Sequence, residues 1–252
     1  MKPEIVVMNF SHVYEEERFI RNRRFRWIDC TDIGGTAGYC DEDARREIAR
    51  RISDLSPEGI HFIDSGNYHY VSKLWTDMIQ RRFSLVVFDH HPDMQPPLFK
   101  DMLSCGSWVK DMLDTNPRLD KVVIAGASEE LMAQTISGYE DRIRFFSGSE
   151  LSLEEGWKEF SSLHIADPVY ISVDKDALDP ASATTDWDQG SMPLSELESL
   201  LCTIFHNERV IGVDVCGECC RALDVFEEQR EEKINGHANV ELLSLFLRSA
   251  GS

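Results

Sequence analysis

The chain has 252 residues and a net charge of −19, from 26 Lys and Arg against 45 Asp and Glu. That balance argues against nucleic acid or an anionic membrane as the main partner, and 42% hydrophobic residues with 10% aromatics argue against a disordered chain. No apolar run approaches the roughly 18 residues needed to cross a bilayer, and one domain over residues 1–252 is the expected organisation.

In chain order, the start Met1-Lys2-Pro3-Glu4-Ile5-Val6-Val7-Met8 lacks an apolar signal region and reads as a first strand, so a cytoplasmic location is expected. Short apolar runs predict strands at Ile5–Asn9, Gly59–Asp64, Ser84–Phe88, Lys121–Ala125, Arg144–Phe146, Val169–Val173 and Val210–Val215. Helical patterns lie between them at Asp41–Leu55, Tyr70–Arg81, Gly106–Asp114, Glu129–Ile136, Leu153–Phe160 and Pro193–Phe205, with a last helix at Ala238–Leu247. Pro193 suits a first helical position, with Glu196 behind it. Continuous Val/Ile runs alternating with helices predict a three-layer α/β fold, a mainly parallel central sheet flanked by helices. Seven cysteines form no even framework, and Cys216, Cys219 and Cys220 have no second pair at zinc-ribbon spacing; reduced, mostly buried thiols are expected.

The chemistry concentrates where apolar runs end. Asp89-His90-His91-Pro92-Asp93 follows Leu85–Phe88, and Asp174-Lys175-Asp176 follows Val169–Val173 with Asp179-Pro180 close behind. Ser65-Gly66-Asn67-Tyr68-His69 follows the Gly59–Asp64 strand, where Gly66 permits a sharp bend. Carboxylates gathered at strand ends repel one another unless a cation sits between them. Asp89, His91 and Asp93 alternate at period two and point the same way in an extended segment. Oxygen ligands with one or two imidazoles suit Mn, Fe(II) or Zn. Taken singly, His69 could be a hydrogen-bonded turn residue and Asp174 and Asp176 could be helix caps; three such elements at strand ends of one small chain favour a metal centre.

The order His69, then Asp89-x-His91-x-Asp93, then Ser172-Val173-Asp174-Lys175-Asp176-Ala177-Leu178-Asp179-Pro180 resembles the arginase/agmatinase (ureohydrolase) superfamily over about residues 59–218. The resemblance implies an arginase-like fold and a binuclear manganese centre, with Fe(II) or Zn as substitutes. One ion would be held by His69, Asp89, Asp93 and Asp174, the other by His91, Asp89, Asp174 and Asp176. It further implies hydrolysis of a C–N bond in a guanidino, amidino or amide compound by a hydroxide between the ions, with Asp93 orienting that nucleophile. The expected partner is a small molecule, cationic or amide-containing, and a homo-oligomer would be unsurprising.

The chain departs from the family pattern in three places. The His69 lead-in replaces Gly-Gly-Asp-His-Ser. Ser104-Cys105-Gly106-Ser107-Trp108-Val109 holds no His where arginases carry a proton shuttle, which leaves His90 as the candidate. Glu218, the candidate for recognising a guanidinium, stands one position late. Cys105 and Trp108 suit a pocket wall or the core, and Asp186, Trp187 and Asp188 suit a pocket mouth or a solvated loop. Two other readings remain open: a single-zinc deacetylase of the same general fold, which Asp89-His90-His91 also resembles, and a non-catalytic protein that keeps the metal to bind a ligand or partner.

Overall fold

A computed structural model describes residues 3–15, 19–20, 24–97, 99, 102–134, 138–220 and 225–249. The strands are β1 (Ile5–Asn9), β2 (Arg26–Asp29), β3 (Tyr39–Cys40), β4 (Ile60–Ile63), β5 (Phe83–Phe88), β6 (Leu103–Ser104), β7 (Leu119–Ala127), β8 (Ile143–Ser147), β9 (Val169–Asp174) and β10 (Val210–Cys216). Eight of them form one sheet in the spatial order β2-β1-β4-β10-β9-β5-β7-β8. Every pairing in that sheet is parallel, so it is more uniformly parallel than the sequence pattern requires. The short β3 and β6 pair antiparallel outside it.

The helices are α1 (Glu42–Ile52), α2 (Val71–Thr76), α3 (Trp108–Thr115), α4 (Glu129–Met132), α5 (Gly148–Leu151), α6 (Glu154–Ser161), α7 (Leu194–Asn207) and α8 (Val225–Ser249). Two apolar cores lie on opposite faces of the sheet. One packs Phe62, Ile171 and Val215 against Phe160 of α6, Leu201 of α7 and Leu242 of α8. The other packs Ile63, Val87 and Ile124 against Ile48 of α1, Trp75 of α2 and Val109 of α3. Strands buried on both faces need helices on both, and the three layers follow.

All seven expected strands are present, most with ends shifted by one or two residues. β2 lies outside the predicted strands: it is an edge strand with one buried residue in four, so it has no continuous apolar run. Pro193 is the residue before helix α7, not its first, with an extended ψ of 147°. The Tyr70–Arg81 helix is shorter than expected, and α8 begins well before Ala238. Of the Glu129–Ile136 helix, residues 129–132 are helical, and 135 and 136 lie outside the described residues. Among the described residues no helix is long and apolar enough to cross a membrane. Three cysteines are buried, Cys30, Cys40 and Cys216; Cys202 and Cys220 are exposed, so the thiols are less uniformly internal than expected.

Candidate metal centre

The strands β4, β10, β9 and β5 are consecutive neighbours, and their carboxyl ends open onto one place. Ligands of open parallel sheets bind at such ends. β4 runs into Asp64, a buried residue with a left-handed φ of 45°. Its carboxylate accepts the main-chain N–H groups of Phe10, Ser11 and Ser65 and the Ser11 hydroxyl. Those bonds hold a conformation that is costly for a residue with a Cβ. A tight turn, Gly66–Tyr68, follows and delivers His69. A Cβ on Gly66 would stand 2.9 Å from Asp174 Oδ2 and 3.0 Å from Trp187 Cδ1, so any side chain there would displace both from the site.

His69 is 1% exposed and its two nitrogens face different groups. Ser172 Oγ donates its one proton to Asp214 Oδ1 at 2.6 Å, so it can only accept from His69 Nε2, 2.9 Å away. Nδ1 is therefore the bare nitrogen of the neutral ring. It lies 3.1 Å from Asp89 Oδ2, 3.1 Å from Asp93 Oδ2 and 3.5 Å from Asp174 Oδ2, yet has no hydrogen-bond partner. A lone pair aimed at three carboxylates is repulsive until a cation enters. That is the donor arrangement of a metal site with its outer hydrogen bond already in place.

A second group faces the first. His91 Nδ1 is 2.8 Å from Asp176 Oδ2 and 3.5 Å from Asp89 Oδ1. His69 with Asp89 and Asp93, and Asp89 with His91 and Asp176, each place three donor atoms within 4.8 Å of one another, with Asp89 common to both. Asp93 has a φ of 50° and accepts the Trp108 indole N–H at Oδ2. Asp176 Oδ1 accepts the main-chain N–H of His90, and Asp174 Oδ1 accepts that of Asp176. All six residues expected as ligands thus converge.

The electrostatics agree with an arrangement short of positive charge. Burial, then repulsion from Asp89, pushes the Asp176 carboxyl up to about 6. Burial is also the main cause that raises Asp93 and Asp174. For His91 burial opposes charge, but Asp176 and then Asp89 outweigh it and push the ring up to about 12. His69 moves well upward in the same way, against burial and through Cys216, Asp89 and Asp93. Protons are drawn into the cluster where a divalent ion would do the same work.

The family model for arginases matches residues 6–226 of the sequence. The chain belongs to the arginase family. A Thermotoga maritima protein described only as uncharacterized is 29% identical over 233 residues, covering 92% of this chain and 87% of that protein. Among solved structures, formimidoylglutamase from Bacillus subtilis superposes with a TM-score of 0.69 at 15% identity, covering 99% of this chain and 88% of that one. Agmatine ureohydrolase of Thermoplasma volcanium gives 0.67 at 14%, covering 98% and 90%. Arginase from Bacillus caldovelox gives 0.64 at 13%, covering 95% and 98%. At these identities the structures share the arginase fold.

In this member of the arginase family a cavity of about 350 Å³ stands over the cluster. His69, Asp89, His91, Asp93, Asp174 and Asp176 form its floor, and Tyr39, Pro92, Pro96, Leu131 and Trp187 contribute apolar wall. Cys105 belongs to that wall, and burial pushes its thiol up to about 12, which suits packing and not nucleophilic attack. Trp108 is fully buried beneath the floor, while half-exposed Trp187 stands at the mouth. Asp186 and Asp188 are not in the lining; Asp186 Oδ1 accepts the main-chain N–H of Cys220.

Two expected functional residues are not brought in. His90 does not line the cavity: its ring stands edge-on to that of His91, with centroids 5.3 Å apart, and it meets Asp176 through its main chain. Glu218 is fully buried outside the cavity, 2.5 Å from Lys175 Nζ and accepting Asn239 Nδ2 at 2.8 Å. Its carboxylate answers a buried lysine and does not face a substrate. Three neighbours of the cluster escaped the sequence reading: Ser172, Asp214 and Cys216. Their signal was period two, since Ser172 and Asp174 on β9 share a face, as do Asp214 and Cys216 on β10.

Proposed function

We propose that the whole chain is one arginase-like domain holding two divalent ions and hydrolysing a C–N bond in an amidino, guanidino or amide compound. The observation that carries this reading is the convergence of Asp89, Asp93 and Asp174 on the buried Nδ1 of His69, with Asp89 also reaching His91. His69, Asp89, Asp93 and Asp174 would hold one ion, and His91, Asp89, Asp174 and Asp176 the other. Bound there, the ions would supply Lewis acidity and a water made acidic at neutral pH. Four carboxylates balance two divalent charges, which favours two ions over the single zinc of a deacetylase.

The residues of this chain would then orient and enclose. Asp93, held by Trp108, directs the attacking water from the cavity floor. Tyr39 and Trp187 flank the substrate and limit bulk water at the mouth. Among the described residues lining the cavity there is no Lys or Arg, and the carboxylates are the four aspartates of the floor. Among those residues an anionic tail meets no cationic side chain, and a guanidinium meets no carboxylate beyond the ligands. A neutral substrate with an apolar tail fits this wall better than an amino acid does.

The test is metal content and turnover on the same preparation. Protein purified without chelator and dialysed against Mn is expected to retain two ions per chain. It should release urea or ammonia from some member of a panel of guanidino, amidino and amide compounds with acidic, basic and apolar tails. Turnover that survives Asp176→Ala would remove the assignment. One retained zinc with release of acetate from acetylated amines would move the chain to the deacetylase reading.

A further inference from the structure

Parallel pairing of β9 with β10 sets Cys216 directly beside Asp174. Paired residues on adjacent strands share a face at a strand spacing of about 4.8 Å. Cys216 Sγ donates to Asp174 Oδ2 at 3.1 Å, and the thiol is fully buried. The same Oδ2 lies 3.5 Å from His69 Nδ1, the buried nitrogen that has no hydrogen-bond partner. A ring nitrogen of His69, a carboxylate oxygen of Asp174 and Cys216 Sγ all stand within 4.8 Å of one another. Gly217 keeps them close: its φ is 92°, and a Cβ there would stand 2.4 Å from Asp174 Oδ1.

A thiol so placed beside an imidazole nitrogen and a carboxylate completes a three-donor set of the kind a metal ion takes. The His91 group contains no sulfur, so the two halves of the cluster differ in softness. We propose that Cys216 is a thiolate ligand of the ion held by His69 and Asp174, and that this half of the centre takes zinc, cobalt or iron(II) in preference to manganese. The inference rests on the metal centre argued above and adds a sulfur donor to it. Coordination breaks the S–H bond, forms a metal–sulfur bond and releases one proton to water, with no change of oxidation state. Thiolate selects softer cations, and carboxylate with imidazole leaves the other half suited to manganese.

The experiment is X-ray absorption at the zinc edge on the full chain loaded with zinc. Wild type is expected to show a sulfur scatterer at about 2.3 Å beside nitrogen and oxygen at about 2.0–2.2 Å. Cys216→Ser keeps a donor for Asp174 and close to the same volume, and it should lose the sulfur shell while still binding zinc. Cys105→Ala and the Cys219→Ala/Cys220→Ala double variant should keep it. Cobalt loading gives a second readout, a near-ultraviolet sulfur-to-metal band present in wild type and absent in Cys216→Ser. Zinc bound by nitrogen and oxygen alone, or a sulfur shell that survives Cys216→Ser, overturns the thiolate and leaves the binuclear reading standing. A wild-type chain that binds no ion overturns both.

Discussion

Trp108, the first residue of α3, donates its indole N–H to Asp93 Oδ2 at 2.6 Å. The same Oδ2 faces His69 Nδ1 at 3.1 Å, and the rings of His69 and Trp108 stand 4.8 Å apart. One fully buried tryptophan thus fixes both a carboxylate and the imidazole opposite it.

Trp108→Phe keeps an aromatic ring but removes that donor. Loss of such an outer hydrogen bond weakens metal binding about 10–100-fold. The buried oxygen left without its partner costs about 1–3 kcal/mol of stability. Chelator competition and urea unfolding read the two effects separately; unchanged metal retention would show that the indole does not position Asp93.

Asp89 reaches both imidazoles, whereas Asp176 reaches only His91. Asp89→Ala and Asp174→Ala are expected to lose both ions and all turnover, and Asp176→Ala to lose the ion on the His91 side. Elemental analysis of the dialysed variants counts them. Two ions retained by Asp89→Ala would mean that the ligands are wrongly assigned.

A cluster of four buried or nearly buried aspartates is unfavourable without its ions. Adding Mn or Zn should therefore raise the unfolding temperature, by an amount that grows with ion concentration. Mass action gives about 2.7 kcal/mol per site at 100 times Kd. Calorimetry with metal and with chelator measures it, and identical melting under both conditions would contradict an ion-dependent site.

Lys175 and Glu218 are both fully buried and 2.5 Å apart, with Asn239 of α8 bonded to the same carboxylate. Lys175→Met leaves Glu218 charged and unpaired, at an expected cost of about 3–5 kcal/mol. The double variant Lys175→Met/Glu218→Gln should recover much of that loss. A double-mutant cycle in urea tests the coupling; additive losses would place the two side chains in independent environments.

His61 sets a pH dependence remote from the metal cluster. Its ring stacks on Trp75 at 3.9 Å and lies 3.0 Å from the Tyr170 hydroxyl. Burial drives its pKa from the ordinary 6.5 down to about 3, against a small upward pull from the Ser56 carbonyl. The folded ring stays neutral while the unfolded chain takes a proton below pH 6.5, so stability falls as pH drops from there toward 3. At about 1.4 kcal/mol per pH unit, the contribution between pH 7 and 5 is about 2 kcal/mol. His61→Phe should flatten that part of the stability–pH curve; an unchanged slope would assign it to other groups.

The sequence by itself determined the layered α/β fold and the positions of six candidate ligands. Both are written in local patterns: Val/Ile runs long enough only for buried strands, and acidic clusters at their ends. His69 was legible because it follows a strand and a glycine turn, and Asp89, His91 and Asp93 because they cluster just after a strand. β5 ends at Phe88, however, and Asp93, at a φ of 50°, reaches the site from a left-handed backbone position and not from an extended segment. Tertiary structure alone decided what those residues meet. The spatial order β4-β10-β9-β5 brings together residues more than a hundred positions apart. It sets Cys216 beside Asp174, Ser172 behind His69, and Lys175 against Glu218. None of these pairs has a local signature, because neighbours across a parallel sheet are chosen by strand order and register. The same geometry withdrew Glu218 and His90 from the cavity, one to a buried lysine and the other to the edge of the His91 ring.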